Sequence, residues 1–534
     1  MIKDSRKRRR MGCSKWGERF LCFSLVTVAL IFFFPFSNEA MESEPGALVL
    51  SLEECIALAL KRNPDIISEK LNPQIQNLEI IKEKAAFDPY LALETKENKS
   101  ISKGTSILSG AGSDFWSRLL RWPNTLEEEQ LQFNAGITEK IPTGGQYDLK
   151  FMNTRSKSNS IFSYHDEWYT SGLYFSLRQP LLKNFGLDIN KTRIRIASNN
   201  YDISTSQLKF KVTAVILELQ EIYWDFVAAI EDLEVRRQSL ELAQKLLAQN
   251  KILVKKGRLP AFAILQAENA VANRKEGLLL SQNMVKEAQD RLKKMLDLLE
   301  EPEQKEKDIL PADRPQSVKK DANVSVTYEL ALANRPELHQ AKMALSNQEL
   351  AFKYAKNQRL PKLDIVASYG LLGSDPYYRD NIDSLLERNT YAWEVGAILE
   401  IPLGNRSAGS QYLQEKIKLR QAQIKIDSTK KTILSDVKKV VREIETAKER
   451  VELTRTAKVL TEKKLKAEEE RYKLGRSTTK DLLQFQEELS LAKNNENRAT
   501  IDYQKSLCHW QAVTGRTIEE NNIEIVSRES ESDK

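Results

Sequence analysis

Residues 208–233, LKFKVTAVILELQEIYWDFVAAIEDL, decide the fold of this chain. Apolar residues recur along this stretch in steps of four and three, which is the heptad pattern of helices that pack along their length. The stretch therefore predicts a long α-helix with an apolar seam. The seam positions are Leu208, Val212, Val215, Leu219, Ile222, Phe226, Ile230 and Leu233.

The helical pattern continues on both sides of this stretch. Neither proline nor glycine occurs between Leu187 and Lys256, and about 70 helical residues at ~1.5 Å each would span roughly 100 Å. Two lysines and a glycine at 255–257 suit a helix end, and the helical pattern then resumes. Residues 181–289 thus predict a long antiparallel helical hairpin, although a filament-like coiled coil would show the same seam.

The net charge of the chain is concentrated near its N-terminus. The 534 residues include 82 Lys or Arg and 75 Asp or Glu, which gives a net charge of +7. Residues 1–40 contain eight basic and three acidic residues and so hold +5 of that charge. The remainder is nearly neutral, and we expect no nucleic-acid partner.

The first 40 residues are predicted to be a secretory signal peptide. A basic segment precedes the apolar run 20–36, FLCFSLVTVALIFFFPF, and a short polar stretch follows it. The run is long for a signal peptide, so an uncleaved membrane anchor is the alternative. No later stretch has the roughly 20 uninterrupted apolar residues of a transmembrane helix. We expect an exported protein in which any later membrane span is β.

Several short segments alternate polar and apolar residues, as strands with one apolar face do. A PTGG turn at 142–145 joins two of them into a predicted β-hairpin. The alternating segments are 131–137, 147–151, 168–178, 363–369 and 393–399.

The second half of the chain repeats the landmarks of the first half in the same order. The offset falls by 50 residues between the first two landmark pairs, so the first copy carries extra sequence, largely the 131–155 hairpin. This regularity predicts a duplicated helix–strand–long-helical-hairpin unit. The pairs are Pro64 and Pro336 at an offset of 272, Pro180 and Pro402 at 222, and Gly257 and Gly475 at 218.

Each copy of this unit has too few strands to close a barrel by itself. Open strand edges would stay exposed unless several chains combined their strands. We therefore predict a mainly α chain with membrane β, although a soluble β-domain is the alternative. The predicted organisation is a signal peptide (1–40), a first repeat (41–299; strands about 88–180, hairpin 181–299), a charged connector (300–323), a second repeat (324–515; strands about 361–402, hairpin 403–515) and a polar C-terminal tail (516–534).

The chain resembles the TolC family of outer-membrane efflux and secretion channels over residues 48–515. Besides the duplication, the similar segments are RQPLLKNFG (178–186), EIPLGNRSAG (400–409) and YKLGRSTTKDLLQFQEEL (472–489). The resemblance implies a homotrimer with an outer-membrane β-barrel continued by an α-barrel across the periplasm. It also implies contact with outer-membrane lipid, a periplasmic adaptor (membrane fusion) protein and an inner-membrane transporter.

The same resemblance implies a gate at the periplasmic hairpin tips. Tyr472 matches the family's latch tyrosine, and Asp481 matches its first gate aspartate. The second gate aspartate is replaced by Gln484, and the latch arginine position holds Ser477, with Arg476 one residue earlier. A solvated helix residue or a charge in the N-terminal turn of the helix is the alternative for Asp481, and an aromatic residue of the heptad seam is the alternative for Tyr472.

The first hairpin tip departs further from the family pattern. Ala263 stands where its acidic residue would be, six positions after the turn glycine. The gate would therefore be mostly that of the second hairpin. Adaptor docking would use the residues of both tips, namely Gly257, Arg258, Gly475 and Arg476.

No motif in the sequence indicates catalysis. The histidines are His165, His339 and His509, far apart and without metal-ligand spacing, and no phosphate-binding loop or GxSxG elbow occurs. We therefore expect no enzyme activity, no cofactor and no metal.

The sequence predicts the outer-membrane channel of a tripartite efflux or type I secretion system, a passive duct with a gated periplasmic end. The alternative is an exported coiled-coil scaffold without a pore. The sequence leaves open the cargo, the transporter class, the cleavage site, whether residues 131–155 add barrel strands, and whether Cys55 and Cys508 pair.

Overall fold

The computed structural model describes residues 48–103, 114–120, 122–123, 125–298, 307–315 and 322–524. The predicted signal peptide, much of the predicted connector and the last ten residues of the predicted tail lie outside these ranges. Within them, no helix combines the length and the apolar character needed to cross a membrane.

The described elements are mostly helices, with a set of strands between the shorter and the longer helices of each half. In chain order they are β1 Leu48–Leu50, α1 Leu52–Arg62, α2 Pro64–Lys84, β2 Tyr90–Lys103, α3 Asp114–Leu120, β3 Thr125–Lys140, β4 Gln146–Ser158, β5 Glu167–Pro180, α4 Leu187–Asn190, α5 Thr192–Lys255, α6 Phe262–Met295, β6 Ile309–Pro311, α7 Val324–Asn334, α8 Pro336–Gln358, β7 Lys362–Asp375, α9 Tyr378–Leu386, β8 Tyr391–Glu400, α10 Arg406–Lys473, α11 Thr479–Thr514 and α12 Thr517–Glu520.

The two long helices predicted from the heptad pattern are confirmed. α5 has 64 residues and α10 has 68, so each is about 100 Å long at 1.5 Å per residue. Apolar residues at heptad steps are buried in both helices: Leu219 and Phe226 of α5 are fully buried, as are Ile433 and Ile444 of α10. Each helix folds back on the next one, α6 or α11, as an antiparallel hairpin.

The long helices form a single layer rather than a bundle around one axis. In the half nearer the sheet, the neighbours run in the order α2, α5, α8 and α10; towards the hairpin tips, the order is α6, α5, α11 and α10. The layer therefore ends at α2 and α6 on one side and at α10 on the other.

The six longer strands form one antiparallel sheet in the order β2-β3-β4-β5-β7-β8. β3 and β4, which contain the 131–155 hairpin, lie inside this order and pair with each other and with β2 and β5. The hairpin thus belongs to the sheet, and the described part of one chain contributes six strands to it.

The two faces of the sheet differ in chemistry. Every registered pair joins two odd-numbered or two even-numbered residues, and directly opposed residues share a face. The even face carries polar residues such as Asp148 and Ser368, whereas the odd face carries a band of apolar residues. At about 3.3 Å per residue, the apolar stretch 363–371 of β7 spans about 26 Å. The apolar face includes Leu93, Phe133, Leu149, Leu173, Phe175, Tyr369, Leu371, Trp393 and Val395.

A second, two-stranded sheet was not anticipated from the sequence. β1 pairs in parallel with β6, which lies within the predicted connector. The buried hydroxyl of Tyr223 on α5 donates to Asp313 Oδ2 at 2.9 Å, and this carboxylate also accepts from the backbone N–H of Leu52 at 2.7 Å. Burial and the hydrogen bond to Asp313 raise the pKa of Tyr223. The contact ties both strands to the centre of the long helix.

Cys55 and Cys508 are both free and both buried in the core around α5. The structure thus agrees with two unpaired cysteines rather than a disulfide. Burial raises the pKa of the Cys55 thiol to about 12 and that of the Cys508 thiol to about 11. Because the thiolate is the reactive form, both side chains are protonated and shielded near neutral pH.

We expect the folded protein to react slowly with a thiol reagent in mildly alkaline buffer, and the unfolded protein to react fast at Cys55 and Cys508. Mass spectrometry of peptides labelled before and after denaturation measures this difference. A Leu474→Cys variant, exposed at the second hairpin tip, is the control that should react at once. Rapid labelling of Cys55 and Cys508 in the folded protein would contradict the burial.

Candidate functional site

The two hairpin tips are built on the same backbone turn. Gly257 follows α5 with φ +65°, and Gly475 follows α10 with φ +74°, a left-handed conformation that glycine adopts without strain. The N–H of Gly257 donates to Val254 and the next N–H to Leu253, each at 2.9 Å; the second tip has the same pair of hydrogen bonds. This is the Schellman motif, which satisfies the last carbonyls of a helix.

The start of the returning helix differs between the tips. Thr478 caps α11, and Asp481 completes a capping box: its carboxylate accepts from the Thr478 hydroxyl at 2.7 Å and from the Thr478 N–H at 3.4 Å. The corresponding end of α6 has no side-chain cap, and Ala263, at the position of the missing acid, is buried. Asp481 is therefore a half-buried charge that also holds the first turn of α11.

Tyr472 joins a buried polar cluster that connects the two hairpins. Its hydroxyl donates to Asn250 Oδ1 of α5 at 2.5 Å and lies 3.2 Å from the hydroxyl of Thr479. Asn250 in turn donates to Thr479 Oγ1 at 3.1 Å and to the Ala263 carbonyl oxygen at 3.3 Å. Asn250 has no exposed surface and Thr479 almost none. All four elements of the two hairpins thus meet in this tip cluster of Asn250, Ala263, Tyr472 and Thr479.

A buried arginine makes a second connection between the hairpins above the tip cluster. Arg274 of α6 donates to Gln486 Oε1 of α11 at 2.9 Å and to the Ser239 carbonyl of α5 at 3.0 Å. The nearest carboxylate oxygen, of Glu487, is 3.8 Å away, and only a tenth of the arginine side chain is exposed. Burial accordingly lowers the pKa of Arg274.

The other residues suggested by the family resemblance do not join the tip cluster. Gln484 donates to Glu488 on the exposed side of α11 at 3.1 Å. Arg258 and Arg476 are exposed. The hydroxyl of Ser477 is buried with no hydrogen-bond partner among the described residues.

The ends of the hairpins expose basic and apolar side chains together. Leu474, Phe262 and Leu265 are each more than 60% exposed. Such a combination suits contact with another protein better than contact with water alone. The exposed basic residues of the two tips are Lys255, Lys256, Arg258, Lys473, Arg476 and Lys480.

Sequence reasoning missed Asn250, Thr479 and Arg274. One signal could have found Asn250: Ala243, Leu246 and Asn250 follow each other at heptad steps, and a polar residue at such a position must find a buried partner. Arg274 gives no comparable signal, because it lies among many charged residues of α6.

Known proteins share both the sequence pattern and the architecture of this chain. The sequence profile of the outer membrane efflux protein family matches residues 148–297 and 327–516. No curated protein sequence matches the chain.

Solved channel structures share the fold at low sequence identity. The Campylobacter jejuni CmeC outer membrane channel is 13% identical, with 89% of this chain and 90% of that chain covered and a TM-score of 0.62. The outer membrane protein VceC from Vibrio cholerae is 14% identical, with 87% and 96% covered and a TM-score of 0.59. The open state of the Neisseria gonorrhoeae MtrE outer membrane channel is 16% identical, with 87% and 89% covered and a TM-score of 0.60.

The profile match includes the later part of the first copy and nearly all of the second, and the structural matches extend over nearly the whole described chain. They confirm the predicted fold class, a mainly α chain built from duplicated TolC-like units with an antiparallel sheet. The chain therefore belongs to the TolC-like outer membrane efflux protein family.

Proposed function

We propose that three copies of this chain form a duct from the periplasm to the cell exterior, as the outer-membrane part of a tripartite efflux or type I secretion system. The observation that carries the proposal is that the sheet and the helical layer are both open, with apolar residues exposed at their edges. An exported precursor with a cleaved 1–40 signal peptide fits this location.

The open edges of the sheet offer unpaired strands to neighbouring copies. β2 is exposed along its whole length, and β8 almost so. Leu93 of β2 and Trp393 and Val395 of β8 are each about two-thirds exposed. A long apolar edge strand in a monomer would invite aggregation, and pairing β2 of one copy with β8 of the next removes both edges.

The open edges of the helical layer belong to the same chain segments. α2 leads into β2, and β8 leads into α10. Both edge helices carry exposed apolar residues at helical spacing, which suits packing against each other across copies. These are Ile67, Leu71, Ile75, Leu78 and Ile81 of α2 and Leu413, Ile417 and Ile424 of α10.

The two faces of the sheet suit a wall between lipid and water. The apolar face is about as tall as the ~25 Å apolar band of outer-membrane barrels, and the opposite face is polar. A coiled-coil scaffold without a pore would not need this alternation. The family consists of channels, and we propose no catalytic role.

The hairpin tips would form the periplasmic entrance and the adaptor-docking surface. The exposed basic and apolar side chains around Gly257 and Gly475 suit a protein partner. In this proposal the tip cluster holds the hairpins of one copy together in the closed entrance, and Asp481 adds negative charge to its rim. Gln484, Ser477 and Arg476 would act on the rim without joining the cluster. The adaptor and the inner-membrane transporter would set the cargo.

Leu78→Asp tests the assembly. Leu78 is 64% exposed in one copy, so the change should leave the monomer folded but place an unpaired charge in the contact between copies. Burying such a charge costs several kcal/mol, and 1.4 kcal/mol is about tenfold in affinity. We expect mass photometry in detergent to show loss of trimer. Asn72→Asp, on another side of α2, is the matched control; equal trimer in both variants would argue against this contact.

Tyr472→Phe tests the tip cluster. Removing the hydroxyl leaves buried Asn250 without its donor, at a cost of about 1–3 kcal/mol to the closed arrangement. We expect larger single-channel conductance or more frequent opening in planar bilayers. The control is Tyr412→Phe. Tyr412 lies on α10 away from the tip, and the change keeps its ring near Arg359, so this variant should behave like the original protein. If Tyr472→Phe and Tyr412→Phe show the same conductance, the hydroxyl of Tyr472 does not hold the entrance closed.

Asp481→Asn separates the charge of this residue from its capping role, because asparagine keeps an acceptor oxygen for Thr478. We expect weaker preference for cations over anions, since a ring of carboxylates in a narrow entrance attracts cations. Reversal potentials under a salt gradient measure the preference. Glu449→Gln, an equal charge change in the middle of α10, is the control, and an unchanged reversal potential for Asp481→Asn would remove it from the entrance.

A further inference from the structure

Helix α9 lies flat against the apolar face of the sheet. It follows β7 and contacts β7 and β5. An ideal Cβ on Gly373 would lie 2.2 Å from the Asn381 carbonyl oxygen and 3.0 Å from Leu385 Cβ. Gly373 is odd-numbered and therefore points to the apolar face. Only glycine at this position lets the helix approach so closely.

Buried polar contacts fix the helix in this place. Asn381, which has no exposed surface, donates to the Ser171 hydroxyl at 2.6 Å, and Ser171 donates to Asn153 Oδ1 at 2.6 Å. The chain of hydrogen bonds runs from α9 across β5 to β4. Leu385, on the next turn of α9, is also buried. A disordered loop would not bury these groups, so α9 is a built part of the wall.

The helix lies where the apolar band ends. Ser171 and Gly373 are registered partners, one step beyond the apolar pair Leu173 and Leu371. One step further on the same face lies the pair Tyr169 and Asp375. Arg155, the registered partner of Tyr169 on β4, forms an ion pair at 2.6 Å with Glu167, one step further along β5. α9 thus covers the row at which the face changes from apolar to charged.

The exposed side of α9 is amphipathic. Tyr378, Ile382 and Leu386 follow at steps of four and form one stripe along the helix; Leu386 is 67% exposed and Tyr378 50%. Each residue advances about 100° around a helix, so Asp380 and Glu387 lie on another side of α9. Both are exposed there. Tyrosine with neighbouring charged residues is typical of surfaces at a membrane–water boundary.

We infer that α9 is an interfacial helix, lying in the outer boundary between lipid headgroups and acyl chains, with Leu386 towards the acyl chains, Tyr378 beside Tyr169 at the polar end of the band and Asp380 towards water. The inference rests on the proposed insertion of the sheet into the outer membrane. The apolar band continues directly into α9, and this favours lipid as the partner. α9 also packs on β5 and β7, so a neighbouring copy at the edge strands β2 and β8 would leave it uncovered.

This placement gives the wall a defined depth in the membrane. A rigid helix at the boundary resists movement of the sheet along the membrane normal, because its apolar stripe would enter water or its charged side would enter lipid. Without α9, the depth of the sheet in the membrane would be set only by the two ends of its apolar band.

Spin-label accessibility in phosphatidylcholine nanodiscs tests the inference. Single cysteines replace Leu386, Asp380 and Phe175 in a full-length background without native cysteines, and each label is exposed to oxygen and to a water-soluble nickel chelate. We expect the oxygen-to-nickel ratio at Leu386 to exceed that at Asp380 several-fold. The Phe175 label, in the middle of the apolar face, should give the highest ratio.

The Phe175 label tests whether the sheet lies in the membrane, independently of where α9 lies. If Phe175 is in lipid but Leu386 is as accessible to nickel as Asp380 is, α9 projects into water and the inference fails while the proposed function stands. If the Leu386 label is immobile and shielded from both reagents, protein rather than lipid covers it, and the inference also fails. If Phe175 is accessible to nickel, the sheet is not in the membrane and the proposed function fails with it.

Discussion

The apolar seam of α5 is the contact on which the rest of the structure depends. Leu219 and Phe226 of this seam are fully buried, and α5 packs against α2 and α6 on one flank and α8 and α11 on the other. A layer one helix thick buries each helix on its flanks only, so the outermost helices keep apolar residues exposed. In the proposed trimer, neighbouring copies cover the apolar residues that one copy leaves exposed.

Polar contacts take over from this seam at the hairpin tips. Asn250, Tyr472 and Thr479 occupy positions that apolar residues hold elsewhere along the helices, and each is buried and hydrogen-bonded. A buried polar group is costly unless paired, so such a cluster favours one alignment of the two hairpins and disfavours intermediate ones. Arg274 adds a charged contact of the same kind. The two hairpins are therefore tightly aligned at their ends, and the loss of one hydrogen-bonding partner would weaken that alignment.

In the sheet, odd-numbered residues pair with odd-numbered residues and even-numbered with even-numbered, so the pairing decides on which face of the sheet each side chain lies. Because every pair joins residues of equal parity, one slip of a strand by one residue would exchange its apolar and polar faces. The β3–β4 hairpin keeps this pairing, which is why its extra residues widen the sheet instead of forming a separate flap. Gly373 and Ser171 then interrupt the apolar face with small residues, and α9 occupies the space that they leave.

The sequence by itself determined the features that follow from local periodicity. Heptad steps gave the two long helices, glycines at 257 and 475 gave the turns, alternation gave the strands, and the repeated landmarks gave the duplication. Only the tertiary structure decided which distant residues meet: Asn250 with Tyr472, Arg274 with Gln486, Tyr223 with Asp313, and α9 with Ser171. Asp481 had a predicted position, but its capping bond to Thr478 became clear only with the backbone in place. The physical reason is that periodicity records which side of an element is apolar, whereas hydrogen bonds between elements hundreds of residues apart depend on how those sides are finally opposed.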